Sequence, residues 1–214
     1  METAAHIEHF KHGRVPRAVR ERQLVELAEA LFAERGYAGT SMEELARQAG
    51  VTKPVVYELF QSKDGLFRAC VDRAIERMAV SIVGAFRSET EPEARLRAGG
   101  MAFLCFARDN RVAWDLMGMQ GPSRKHSARP SARGLALLDQ AQTVRRSQAE
   151  LIRTLMAEIA PEGTDPLELE AVAFAVNSAY EGAAHWMWEH PDVPVEEVAD
   201  WIVALLLPGL RRFT

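Results

Sequence analysis

Cysteine is nearly absent: two in 214 residues, Cys70 and Cys105, each isolated on a helical pattern. That excludes a disulfide-framed secreted scaffold and suits a reducing cytoplasm. Both are read as inert buried thiols, with a redox pair as the alternative. No apolar run approaches the ~20 residues that a membrane span requires. The first 17 residues, METAAHIEHFKHGRVPR, hold no hydrophobic segment, so no signal peptide is expected. Also missing are a phosphate-cradling glycine loop, a metal-ligand cluster of recognised spacing and a nucleophile motif. No cofactor, no metal and no enzymatic activity are therefore expected. Positive charge is outnumbered and unevenly placed. The net charge of -4 excludes a uniformly basic nucleic-acid binder, and no lysine or arginine occurs from Met156 to Asp200. Any contact with a nucleic acid must come from a local patch.

What is present is ordinary for a globular chain: 48% apolar and 26% charged residues, enough for one large or two small domains. The informative stretch runs from Thr40 to Leu66. Met42, Leu45, Ala46 and Ala49 recur at helical spacing, as do Val55, Val56, Leu59 and Phe60. Gly50 between them suits the positive φ of a tight turn. Two short helices joined by such a turn form a helix-turn-helix. Thr40 and Ser41 each precede a glutamate by three residues, so either can form a capping box. Thr52 or Lys53 caps the second helix, and Pro54 fits its first turn.

In this motif the second helix enters the major groove by its N-terminus. Base-edge contacts then fall to Thr52, Lys53, Pro54 and Val55. Lys53 can donate to guanine, while Pro54, Val55 and the Thr52 methyl can touch thymine methyls. Tyr57 suits a phosphate oxygen, with a core position as its alternative, and Lys63 at the next helix start can reach phosphate.

The run T-S-M-x-x-L-A-x-x-A-G-V-T-x-x-x-x-Y-x-x-F-x-x-K-x-x-L, with F-x-x-x-G-Y at Phe32 to Tyr37, resembles the DNA-binding domain of the tetracycline-repressor (TetR) family. The likeness covers about residues 17 to 68 and departs from the common pattern at Pro54 and Gly65. It implies that Thr40, Thr52, Lys53, Tyr57 and Lys63 stand where family members touch DNA; Ser41 belongs to the same candidate edge. It also implies a dimer formed through the last two long helices.

The expected architecture is all-α: a flexible basic arm over 1–16, a three-helix helix-turn-helix domain over 17–62, and a helical bundle over 63–214 for ligand binding and dimerisation. Lys11, Arg14, Arg17, Arg20 and Arg22 make the N-terminal region basic, fit for phosphate contact or simply solvated. His6, His9 and His12 recur every third residue, but no fixed co-ligand supports a metal. Leu24, Leu27, Ala28, Leu31 and Phe32 line a first helix ended at Gly36, and a long helix from Ser62 or Lys63 to about Arg87 links the halves. Residues 121–134, rich in Gly, Pro, Ser and Arg, read as a loop with a solvated charge run.

In the C-terminal part, Ala171, Ala175, Ala179 and Ala183 recur every fourth residue and let another helix approach closely. With Trp201, Ile202 and Leu205 on the final helix they are the expected homodimer interface; a hairpin burying its own stripe is the alternative. Opposite lie Asn177, Glu181 and His185, with Tyr180 nearby. With Phe103, Phe106, Trp114 and Met117 they are candidates for the wall of a small-molecule effector site. The alternatives are that Glu181 and His185 face water or pair across the dimer, that the regulator senses a protein partner or nothing, or that His185 with Glu181 acts as a base and its orienting carboxylate in a helical enzyme. The expected partner is double-stranded operator DNA, with no membrane involved.

Overall fold

The computed structural model describes residues 15–116 and 132–210. Residues 1–14, including His6, His9 and His12, lie outside the described residues, as do Met117 and residues 118–131. Every regular element among the described residues is a helix, so the chain is all-α as expected. None of these helices is long and apolar enough to cross a membrane.

The chain divides into two compact units, one ending at Ala74 and the other beginning at Ile75. The first opens with α1 (Arg17–Gly39), which turns at Gly36, where φ is 67°. The Thr40 hydroxyl closes this bend by donating to the carbonyls of Leu31 and Gly36 at 3.0 and 2.9 Å. Leu24, Val25, Ala28, Leu31 and Phe32 are buried. Leu27, assigned to that stripe from spacing, is only half-buried, and Val25 is inside instead.

α2 (Met42–Gln48) starts at Ser41, whose Oγ accepts from the Glu44 backbone N–H at 3.0 Å; Thr40 is not the cap. Glu43 and Glu44 stand in its first turn, where the helix dipole favours them. The helix ends in a Schellman motif: Gly50 sits at φ 65°, its N–H donates to the Arg47 carbonyl, and the Val51 N–H donates to the Ala46 carbonyl. α3 (Lys53–Phe60) has Thr52, extended at φ -86° and ψ 152°, as its cap, so the choice between Thr52 and Lys53 falls to Thr52.

α3 meets α4 (Lys63–Arg87) in a tight corner. Gln61 has φ 63° and ψ -37°, and the Ser62 N–H donates back to the Phe60 carbonyl at 2.7 Å. This is a γ-turn of the rare positive-φ kind. Ser62 then caps α4, its Oγ accepting from the Gly65 N–H at 3.0 Å. α4 buries Leu66, Cys70, Val71 and Ala74 in this unit. That is about three turns by the 3.6-residue period. Phe32 stacks on Tyr37 at 5.8 Å, and Phe67 meets both edge-on.

The second unit holds the rest of α4 with α5 (Pro92–Asp109), α6 (Arg111–Leu116), α7 (Ala132–Ala157), α8 (Pro166–Glu189) and α9 (Val195–Leu210). α8 packs against α5, α7 and α9, and α5 against α9. Arg87 of α4 and Arg95 of α5 converge on Glu158, just past the end of α7, and Arg97 of α5 pairs with Asp200 of α9.

Gly65 departs from the family pattern for a local reason: a Cβ there would overlap the Phe60 carbonyl, a backbone atom that cannot step aside. Alanine's better helix propensity offers at most ~1 kcal/mol, against about 1–3 kcal/mol for forced overpacking. Gly65→Ala is therefore expected to destabilise the protein in chemical denaturation, and a stabilised variant would refute this account of the corner.

Candidate nucleic-acid interface and internal cavity

α3 is two-sided. Val56 and Phe60 are buried, while Thr52, Lys53 and Pro54 are exposed, Val55 is half-buried and Tyr57 is 41% exposed. Tyr57 is thus not a core residue. Lys53 Nζ lies 3.6 Å from Glu43 Oε2, both side chains being well exposed. Such a pair is worth at most ~1 kcal/mol, so exchanging it for a phosphate or a base edge costs little. Lys63 is more committed: its ammonium sits 4.4 Å from the Tyr37 ring centroid and donates to the Ala38 carbonyl at 3.5 Å. The Tyr37 hydroxyl in turn donates to the Asp64 carboxylate.

Two candidates change role. Thr40 is 3% exposed with its hydroxyl spent on two carbonyls, so its side chain holds the α1 bend rather than presenting a donor. Ser41 uses its Oγ as the α2 cap. Arg47 is exposed beside them, but its guanidinium is clamped on Glu44, and hydrogen bonds from Arg47 and then Gln48 hold that carboxyl down to about 2.

The second unit holds a partly open cavity of about 60 Å³, with walls from α4, α5, α7, α8 and α9. Phe103, Asn177 and Tyr180 from the candidate list line it. Ile82 and Phe86 on α4, Gly100 on α5, Met156 on α7 and Leu206 on α9 also line it and were not anticipated. One signal was available: the Gly99-Gly100 pair inside a helix costs about 1 kcal/mol per glycine and needs a packing reason. The reason is Tyr180, whose phenol lies where a Gly100 Cβ would be. Burial pushes that phenol's pKa up.

Among the described residues, the candidates Phe106, Trp114, Glu181 and His185 do not line the cavity. Phe106 and Trp114 are buried, and Trp114 packs edge-on against Phe103, His185 and Trp188 at 5.4 to 5.9 Å. Glu181 is 9% exposed and binds Arg145 Nε through Oε2 and Asn177 Nδ2 through Oε1, both at 2.9 Å. His185 Nδ1 faces the backbone carbonyl of Glu181 at 2.8 Å, not its carboxylate. One turn of helix brings the ring to the carbonyl below it, so the base-and-carboxylate pair is not formed.

The supposed dimer stripe also divides. Ala171 and Ala175 are exposed and Ala179 is half-buried, but Ala183 is buried in its own subunit. Leu167, Phe174 and Trp186 replace it on the outer face. On α9, Trp201 and Leu205 are exposed and Ile202 is half-buried, whereas Val195 and Val198 face inward.

Known proteins resemble this chain in sequence and fold. Residues 24–70 match the family model described as bacterial regulatory proteins, tetR family. The HTH-type transcriptional activator FasR of Mycolicibacterium smegmatis is 36% identical over 105 residues, 49% of this chain and 48% of FasR. The HTH-type transcriptional repressor ComR of Escherichia coli is 45% identical over 49 residues, 23% of each chain. The matched stretch thus spans half or less of these relatives' length. A TetR-like transcriptional regulator of known structure from Rhodococcus sp. RHA1 is 30% identical, with a TM-score of 0.65 over 92% of this chain and 99% of that one.

Gly100→Ala is expected to expel the Tyr180 phenol from its seat, costing about 1–3 kcal/mol by overpacking. The check is thermal unfolding together with tyrosine fluorescence quenching; an unchanged melting temperature would mean that the phenol is free to move.

Proposed function

Because this chain belongs to the TetR family of transcriptional regulators, it is a DNA-binding protein, and we propose that it acts as a homodimeric repressor of a palindromic operator, released by a small and mainly apolar effector. One observation carries the DNA part. The leading edge of α3, from Thr52 to Pro54, stands exposed while the opposite edge is buried. One such helix covers few base pairs, and a two-fold dimer sets two of them about 34–36 Å apart on one face of DNA.

The dimer is supported by the outer face of α8 and α9. Leu167, Phe174, Trp186, Trp201 and Leu205 are large, apolar and 38% to 71% exposed. Large exposed apolar side chains on two neighbouring helices, with Trp186 meeting Trp201 edge-on at 6.2 Å, favour an interaction surface. The effector is supported by the cavity, whose wall includes Ile82 and Phe86 of α4, the helix that also supplies Leu66 to Ala74 to the reading unit. A ligand held more tightly in one setting of α4 than in the other shifts DNA affinity by that difference. The small size of the cavity, well below the ~300 Å³ of a usual ligand pocket, favours as second reading a regulator answering to a protein partner. A thermal-shift screen with and without operator separates the two.

Duplexes selected from a random pool provide the operator. Lys53→Ala is expected to weaken binding by about 1–3 kcal/mol and to relax preference at one position. Tyr57→Phe costs about 1 kcal/mol, and Lys63→Ala lowers the salt slope by about 1. Unchanged affinity for Lys53→Ala would remove it from the reading edge. A Phe174→Asp, Leu205→Asp double variant is expected to sediment as a folded monomer and lose the operator; a dimer that persists points to another interface. A reporter gene gives the sign, and induction by the protein would replace repression with activation.

A further inference from the structure

Asn177 is 2% exposed on the cavity wall, and it is held in one orientation. Its Nδ2 donates to Glu181 Oε1 at 2.9 Å, and Glu181 is in turn fixed by Arg145. A carboxylate accepts only, so the amide nitrogen must face it and the amide oxygen must turn away. That oxygen, Asn177 Oδ1, is buried and has no hydrogen-bond partner among the described residues. Apart from Asn177 and Tyr180 the wall is apolar or glycine, with no charged side chain. An unpaired acceptor in such surroundings gains most from a ligand that brings a donor.

We propose that the effector of this cavity is an uncharged molecule with an apolar chain and one hydrogen-bond donor, an alcohol, phenol or amide, whose donor is read by Asn177 Oδ1. The inference rests on the effector reading above and narrows it. Carboxylates are refused because their oxygens would face Asn177 Oδ1 across an apolar wall with no free cation. Ammonium groups are refused because their charge would be buried without a counter-ion, Glu181 being matched by Arg145. Met156 on the wall is unbranched and can repack around a slender chain.

The test uses the full chain and matched six-carbon probes: 1-hexanol, its isomer methyl pentyl ether, hexanoate and hexylammonium, each followed by thermal shift and calorimetry. Hexanol and the ether share a formula and differ in the donor. Hexanol is expected to bind about tenfold more tightly than the ether, a difference of about 1.4 kcal/mol, and both ions to bind far more weakly. Asn177→Leu is expected to erase the hexanol preference while leaving ether binding in place. The isomer comparison on the unaltered protein stands even where that variant fails to fold. Equal affinity for the isomers, or tighter binding of either ion, overturns the donor requirement and leaves the effector reading intact. No shift from any probe at millimolar concentration overturns both.

Discussion

Val56 and Phe60 hold α3 against the rest of its unit, and what its outer edge can do depends on that attachment. Each buried side chain contributes about 1.5–3 kcal/mol, enough to orient a helix of two turns that would not be stable alone. The Schellman turn at Gly50 sets the angle at which α3 leaves α2. The γ-turn at Gln61 sets the angle at which it gives way to α4. Two tight corners and two buried side chains thus fix a short helix whose exposed edge carries little of the fold.

Both corners are costly conformations, and the costs are met locally. A positive φ at Gln61 is strained for a residue with a Cβ. It is sustained because Ser62 caps α4 and Gly65 leaves room for the Phe60 carbonyl. The same solution recurs in the second unit, where Gly100 gives up its side chain so that Tyr180 can lie against α5. In each case a glycine within a helix marks where another group presses on the backbone.

Much of this was legible in sequence. The helix-turn-helix residues act within one or two turns of each other, so the Gly50 turn and the inner stripe follow from spacing, and each cap is narrowed to two residues. Long-range roles did not. Thr40 and Ser41 are equivalent in sequence, yet one hydroxyl is drawn inward to Leu31 and Gly36 while the other caps α2. The polar line on α8 was visible as Asn177, Glu181 and His185, but not that Arg145 from α7 would occupy Glu181. Nor could spacing show that His185 would turn to a backbone carbonyl.

The division between local and distant causes is clearest in the last two helices. Their apolar, alanine-rich composition and the absence of positive charge up to Asp200 are properties of the chain itself, and these alone mark them for burial against protein. Which residues face inward is decided by the neighbours: α8 is surrounded by α5, α7 and α9, and this crowding takes in Ala183, Val195 and Val198 and leaves Phe174, Trp201 and Leu205 outside. A helix apolar on most of its surface carries no periodic mark of its own for the side to be covered. Only the arrangement of the other helices chooses it.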